Sequence, residues 1–236
     1  MLPESARAVK AAQIIPAVFV SALATVAAAD PRVGSFNSDA FNLSGALDRD
    51  VAPTQAALEI AVGAGYTQGV GGAGEVGNVE DVSGPGGSFE LQVGARLNPT
   101  LSVGMYGTFA RFRHGDAIGD GGRAEAATAG IQVMLHARQS RSIDPWISVG
   151  TGWRGLWLSP RGAASSSLHG VELVRVQLGV DYRFSPRFAV SPVIGASAAM
   201  FLAQDTMTTD GLAAVHDNRL NLYGFTGVLG RFDLGG

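Results

Sequence analysis

Cysteine is absent from this chain of 236 residues, and lysine occurs once, at Lys10. Without cysteine the chain has no disulfide framework, no thiolate metal ligands and no lipid-anchoring cysteine. The basic residues form no patch of the kind that binds nucleic acid, and the net charge is −3. The composition therefore excludes disulfide-stapled domains and points away from a nucleic-acid partner.

Long apolar runs are also missing, except at the N-terminus. Residues 1–29 combine positive charge at Arg7 and Lys10, an apolar stretch over 11–26 and alanines at 27–29. That order is typical of a signal peptide with a small-residue cleavage site. The alternative, a retained anchor helix, is disfavoured by the polar residues and the proline within the stretch. We therefore predict export and exclude residues 1–29 from the fold.

The rest of the chain divides in two. Residues 30–55 are polar and lack periodicity, which predicts a flexible periplasmic N-terminal segment. From residue 56 to residue 236 the pattern has a period of two, as in half-exposed β-strands. In residues 174–183, the clearest segment, valine, leucine and tyrosine alternate with arginine, glutamine, glycine and aspartate. Eight such segments are recognisable, which predicts an all-β domain over residues 56–236.

The connections between these segments alternate in length. The predicted long connections are 68–88, 114–123, 159–170 and 203–218, and the short ones are 98–100, 138–144 and 185–187. Two short turns share a pattern around Pro99 and Pro186, where proline presets the turn dihedral between antiparallel strands. This alternation predicts an eight-stranded antiparallel up-and-down β-barrel with short turns at one end and long loops at the other.

One face of the predicted strands is apolar, and the other carries isolated charges among small residues. A solvated outer surface would carry more charge, so the polar face fits a narrow lumen and the apolar face fits lipid. The predicted polar network of the lumen comprises Glu59, Glu90, Arg154, Arg175 and Asp181. Its preferred reading is an ion-paired plug, since eight strands leave room for little more than side chains. The alternative is that these residues line a narrow pore.

Aromatic residues cluster at both ends of the apolar face, as expected for rings at the two membrane interfaces. The predicted girdle at the long-loop end consists of Tyr66, Phe89, Phe109, Trp153 and Trp157. The predicted girdle at the short-turn end consists of Tyr182, Phe188 and Phe232. Together with the apolar face, the girdles predict a transmembrane β-barrel.

Strand number, loop alternation, the two proline turns and the closing stretch 220–234 resemble small bacterial outer-membrane β-barrels of OmpA/OmpX type, in the porin-like superfamily. The resemblance covers about residues 56–234. It implies a protein of the Gram-negative cell outer membrane, inserted by the barrel-assembly machinery. It also implies contact with outer-membrane lipid and lipopolysaccharide, and a monomer. Members usually end on an aromatic residue, whereas here Phe232 is followed by four further residues.

Catalytic chemistry has little support in the sequence. The strongest candidate is a lipid-modifying hydrolase that joins one of the serines 165–167 with His169 and Glu172, because acyl transfer needs a nucleophile, a base and an orienting carboxylate. We predict no catalytic, cofactor-binding or metal-binding residues and no enzyme activity. The preferred function is envelope integrity or surface interaction through the long loops, the second hypothesis is a narrow porin-like channel for small solutes, and the hydrolase comes third.

Overall fold

The computed structural model describes residues 57–73, 77–137, 142–162, 164–206, 213–215 and 219–234. The predicted signal peptide, residues 1–29, and the predicted N-terminal segment, residues 30–55, lie outside the described residues.

The described residues form β-strands joined by turns and loops, with one short helix. The strands are β1 (Leu58–Gly71), β2 (Ser83–Asn98), β3 (Leu101–His114), β4 (Arg123–His136), β5 (Ile143–Ser159), β6 (Ser166–Ser185), β7 (Phe188–Thr206), β8 (Ala213–Ala214) and β9 (Leu220–Leu234). Helix α1 spans Val79–Val82. Within the described ranges, no helix is long and apolar enough to cross a membrane.

The long strands close into a barrel. Their order is β6-β5-β4-β3-β2-β1-β9-β7, and β7 pairs back with β6. All pairings are antiparallel, and each long strand neighbours the long strands before and after it in the chain. The two-residue strand β8 pairs only with β7. The fold is therefore an eight-stranded antiparallel up-and-down β-barrel, which confirms the prediction.

Alternation along the strands sets the two faces of the wall. In β6, Gln177 is fully buried inside the barrel, whereas its neighbour Leu178 is 49% exposed on the outside. A bulge interrupts the pattern once in this strand, so that Leu173 and Val174 both face outward. The outer wall carries exposed apolar side chains on all eight long strands. This arrangement, polar inside and apolar outside, is that of a transmembrane barrel.

The short turns have local side-chain support. The Asn98 side-chain oxygen accepts hydrogen bonds from the backbone N–H and the hydroxyl of Thr100, each at 2.9 Å. At the equivalent turn the Ser185 hydroxyl accepts the backbone N–H of Arg187 at 3.3 Å. These contacts explain why the two proline turns share a sequence pattern, since the polar residue before each proline holds the turn closed.

The first long connection is shorter than predicted. The sequence assigned residues 68–88 to a loop, but β1 continues to Gly71 and β2 begins at Ser83, with α1 between them. The glycines that suggested a loop are needed in the strand: a Cβ on Gly69 would lie 2.6 Å from the Tyr223 ring and from Val79. The prediction failed because glycine marks a close approach of side chains here and not a turn.

Candidate functional site

The most distinctive part of the molecule is the barrel interior, where charged side chains pair in two layers. The central layer, which we define as Glu90, Arg154, Glu172 and Arg175, lies midway along the barrel. Arg175 Nη2 donates to Glu90 Oε2 at 2.9 Å, and Arg154 Nη2 donates to Glu172 Oε1 at 2.5 Å. With two carboxylates facing two guanidinium groups, the layer is electrically balanced.

Neutral side chains complete the central layer. The Tyr106 hydroxyl donates to Glu172 Oε2 at 2.5 Å, and Gln92 Nε2 donates to Glu90 Oε1 at 2.7 Å. The Arg154 guanidinium lies 3.8 Å from the centre of the Tyr223 ring, and that of Arg175 lies 4.1 Å from the Phe225 ring. Aromatic faces attract cations most strongly when water is excluded, so both arginines are fixed on two sides.

A second layer lies at the short-turn end; we call it the lower layer and define it as Glu59, Arg96, His136, Asp144, Asp181, Arg183, Arg231 and Asp233. Arg96 pairs with Glu59, Arg183 Nη1 donates to Asp233 Oδ2 at 2.5 Å, and Arg231 Nε lies 3.3 Å from Asp181 Oδ2. All eight side chains are buried. Charges this deep require partners, since an unpaired buried charge is costly.

His136, Asp144 and Asp181 are close enough to hold a metal ion, with one ligand atom of each within 4.8 Å of the others. The surroundings disfavour one. His136 Nδ1 lies 2.7 Å from Asp144 Oδ2, and Asp181 Oδ2 already faces the guanidinium groups of Arg231 at 3.3 Å and Arg183 at 3.8 Å. Two cations beside the same carboxylate oppose a third, so the trio fits the ion-paired network better than a metal centre.

The structure places the predicted lumen residues as follows. Glu59, Glu90, Arg154, Arg175 and Asp181 all point inward, with exposures of 8% or less. The predicted lumen network did not include Trp146 and the remaining members of the lower layer, and it placed Glu172 only in the hydrolase candidate. Strand parity was the available signal for Trp146 and the lower layer, whereas the bulge between Glu172 and Val174 reverses the alternation of β6 and hid Glu172.

Trp146 is the clearest lumen residue that the sequence prediction omitted. Its indole Nε1 donates to Asp181 Oδ1 at 2.7 Å, and its ring lies 5.0 Å from the Arg231 guanidinium. It is 3% exposed, whereas Trp153, on the same strand, is 41% exposed on the outer wall. A tryptophan that bonds a lumen carboxylate is part of the plug and not of a girdle.

The long-loop end is closed by apolar side chains. We name these the apolar cap, whose central members are Val79 and Val82 of α1, Phe112 of β3, Ile118 in the next loop and Val215 beside β8. Each is at most 6% exposed. The cap belongs to the same buried cluster as Tyr223, which stacks on Arg154. The described residues of these connections therefore lie over the mouth of the barrel, above the central layer.

The hydrolase candidates do not come together. Ser167 Oγ lies 3.0 Å from His169 Nε2, but this pair is on the outer wall, where His169 stacks on Trp153 with ring centres 5.9 Å apart. Glu172 is fully buried in the lumen, where its carboxylate accepts hydrogen bonds from Arg154 and Tyr106. The nucleophile–base pair and the carboxylate are thus on opposite faces of the wall, so the residues of the hydrolase alternative do not form a catalytic constellation.

The predicted girdle residues occupy outward positions. At the long-loop end, Trp153 and Trp157 have ring centres 6.0 Å apart across Gly155, and Phe89 faces Phe109 in the strand register. At the short-turn end, Phe232 lies 5.1 Å from Phe188. Phe184, which the sequence prediction did not include, is 71% exposed and stacks on Phe188 at 6.1 Å. Tyr66 and Tyr182 are also exposed outside.

The spaces within the lumen are small. A cavity beside Thr67, Glu90, Arg154 and Arg175 has a volume of about 30 Å³. Another, beside Glu59, Gln92 and Arg231, has about 20 Å³. A buried water needs roughly 10–15 Å³ measured in this way, so each cavity has room for one to three waters. Neither cavity has the volume of an open passage through the lumen.

No protein-family model matches the chain, and comparison with curated proteins returns no relative. Solved structures do match. Neisserial surface protein A is 13% identical, over 75% of this chain and 97% of that one, with a TM-score of 0.49. Ail of Yersinia pestis is 16% identical, over 76% and 100%, at 0.41, and OprG of Pseudomonas aeruginosa is 9% identical, over 78% and 99%, at 0.42.

These matches are small outer-membrane β-barrels, the class that the sequence pattern resembles. Because the identities and TM-scores are low, the assignment of the fold rests on the strand order and register of this chain. Those define a closed eight-stranded barrel with a polar lumen and an apolar outer wall.

Proposed function

We propose that this chain is a non-enzymatic protein of the cell outer membrane that does not conduct solutes and acts in surface interaction or envelope integrity through its long-loop end. The proposal rests on one observation: buried charges pair in two layers across the lumen, beneath an apolar cap. Export, contact with outer-membrane lipid, insertion by the barrel-assembly machinery and a monomeric state belong to the same proposal.

The outer wall supports the membrane location. On β3 the outward positions from Leu101 to Phe109 span eight residue steps, about 27 Å at roughly 3.4 Å per step. With a strand tilt of about 40°, that length covers roughly 21 Å of height, close to the apolar band of about 25 Å in such barrels. Met105, in the middle of this stretch, is 62% exposed and needs an apolar surrounding.

The lumen supports a role other than transport. A passing solute would have to displace Arg154 and Arg175 from carboxylates at 2.5 and 2.9 Å, and then pass the apolar cap. Breaking one buried pair costs about 3–5 kcal/mol. Two layers in series therefore oppose conduction far above thermal energy.

Planar-bilayer recordings of the refolded full chain test this directly. We expect no discrete conductance steps from the wild type. The double variant E90A/R175A removes one ion pair of the central layer but leaves the lower layer and the apolar cap, so it should conduct only in rare, brief events. L91A, which removes an outward side chain next to Glu90, should be as silent as the wild type. Regular single-channel steps from the wild type would contradict the proposal and favour the narrow channel, the second candidate, which the polar cavity beside Arg154 and Arg175 supports.

A role in the envelope is tested in cells. Deletion of the gene in a Gram-negative host should raise uptake of a hydrophobic dye, or lower binding of the cells to a surface partner, without changing lipid A. Complementation of the deletion with E90A/R175A, which changes the lumen and not the loops, tests whether the surface role depends on the ion-paired plug. An altered lipid A mass spectrum would contradict the non-enzymatic assignment.

A further inference from the structure

The cavity of about 30 Å³ beside the central layer is bordered by more positive than negative charge. We call it the upper cavity, since Phe112 of the apolar cap also borders it. Arg154, Arg175 and Glu90 line it, whereas Glu172, the fourth member of the central layer, does not. Among the described residues, the charged groups at its border are thus two guanidinium groups and one carboxylate. The central layer is balanced as a whole, but its face toward this cavity carries one positive charge in excess.

Both arginines at the upper cavity keep a buried hydrogen-bond donor that is not used. Arg154 Nη2 donates to Glu172 and, at 2.9 Å, to the Ser197 hydroxyl. Arg175 Nη2 donates to Glu90. The Nε atom of each guanidinium is buried and has no hydrogen-bond partner within the described ranges. Buried donors are normally satisfied, so these two N–H groups require an acceptor, and the cavity beside them has room for one.

Hydroxyl groups add further donors to the wall of the upper cavity. Thr108 and Thr128, on neighbouring strands, both border it, and their Oγ1 atoms lie 2.5 Å apart. One hydroxyl hydrogen forms this bond, and the other hydroxyl still has a hydrogen to donate. The buried Tyr223 hydroxyl, which has no partner among the residues that the structure describes, belongs to a side chain on the same border. The cavity therefore offers an occupant charged and neutral donors together.

The second cavity of the lumen, beside Glu59, Gln92 and Arg231, has a different border. Its volume is about 20 Å³. The side-chain oxygens of Gln92 and Gln132 border it without a hydrogen-bond partner in the described part of the chain, and so do two nitrogens of Arg231. Acceptors and donors meet there, which suits water, because a buried water both donates and accepts. The upper cavity, with its excess of donors, suits a species that only accepts.

We propose that the upper cavity binds one monovalent inorganic anion of about the size of chloride. The single excess positive charge fits one negative charge, and the volume admits an ion slightly larger than water but no bulky anion. Hydrogen bonds from guanidinium groups to an anion are strong, and more so where the apolar cap keeps bulk water away. The site goes beyond the proposed function, since a resident ion in the lumen is independent of what the long loops contact.

The first test is urea unfolding of the full chain, refolded in phosphatidylcholine vesicles, while sodium chloride replaces sodium gluconate. The ionic strength stays constant, so charge screening does not change, and gluconate is too large for the cavity. An ion that binds only the folded chain raises the ratio of folded to unfolded protein about tenfold for each tenfold rise in chloride above its Kd. If water alone fills the cavity, the two salts will be equivalent, and that result would overturn the proposal.

The variant R154M/E172Q removes one guanidinium group from the upper cavity together with the carboxylate that pairs with it. The central layer stays neutral, and Arg175 and Glu90 then balance each other at the cavity. A hydrogen bond to a charged group corresponds to about tenfold or more in affinity. We therefore expect the half-saturating chloride concentration to rise by about tenfold or more.

The matched control is E59Q/R96M, which removes a buried ion pair of the lower layer that does not border the upper cavity. It should keep the chloride dependence of the wild type, and equal dependence in E59Q/R96M and R154M/E172Q would refute the site. Each variant is first checked for a mobility shift on heating, which reports the folded barrel. A milder variant, T108V/T128V, keeps every charge, removes the hydroxyl pair and should weaken chloride binding about tenfold.

Crystals of the same refolded chain, grown with sodium bromide in place of chloride, locate the ion. Bromide is a slightly larger halide with a strong anomalous signal, and we expect a peak in the upper cavity within hydrogen-bond distance of Arg154 and Arg175. Peaks only on the outer surface of the barrel would contradict the proposal.

Discussion

Replacement of Glu172 by glutamine would leave the buried Arg154 without its countercharge. Glu172 is fully buried, and its carboxylate accepts from Arg154 and from Tyr106, each at 2.5 Å. Removing one partner of such a pair typically costs about 3–5 kcal/mol, because the remaining charge stays buried. Glutamine keeps one acceptor oxygen, so we expect a loss of about 3 kcal/mol in the free energy of unfolding.

The loss is measured by urea unfolding of the barrel refolded in lipid vesicles, followed by tryptophan fluorescence. The matched control is E125Q, the same chemical change at the exposed pair with Arg111, where the N–O distance is 3.7 Å. Surface pairs contribute about 0–1 kcal/mol, so E125Q should be nearly neutral. The double variant R154M/E172Q removes both charges and should recover at least half of the loss. If E172Q and E125Q were equally mild, the central layer would not be the stabilising unit described above.

Two further changes test the packing of the interior and of the cap. In G130L, the new side chain begins 2.6 Å from the Tyr106 hydroxyl oxygen; overpacking of this kind costs about 1–3 kcal/mol. The heat-modifiable fraction should therefore fall, but not in A129L, whose side chain faces outward. In V82D a charge enters the apolar cap at a site that is 3% exposed, which should free α1 and make the connection between β1 and β2 sensitive to protease. A cleavage pattern in V82D no different from that of D116N, an exposed loop control, would show that the cap does not hold α1.

The sequence alone determined the strands and the sides of the wall. Side chains alternate along a regular β-strand, so away from bulges the residue type at each position reports the face, and Leu178 and Gln177 lie on the sides that their chemistry predicts. The count of eight strands and the up-and-down order followed from the same period and from the alternating connections. These are local properties, encoded within ten to twenty residues.

Only the tertiary structure decided which residues meet inside. Glu90 and Arg175 are 85 positions apart, and they pair because barrel closure brings β2 and β6 to opposite sides of one narrow lumen. The same closure brings Glu172 into contact with Arg154 inside the lumen. Ser167 and His169 lie on the outer face of the same strand, away from Glu172. Parity shows that a side chain points inward, but its partner depends on register and stagger around the whole barrel.

The apolar cap also required the fold. Val82, Ile118 and Val215 belong to separate connections that look like ordinary loops in sequence, and they meet only because all three connections open at the same end of the barrel. The sequence thus determined the wall and its two faces, and the closure of the barrel decided what the lumen and the loop end contain, because those contacts join residues that are distant in the chain.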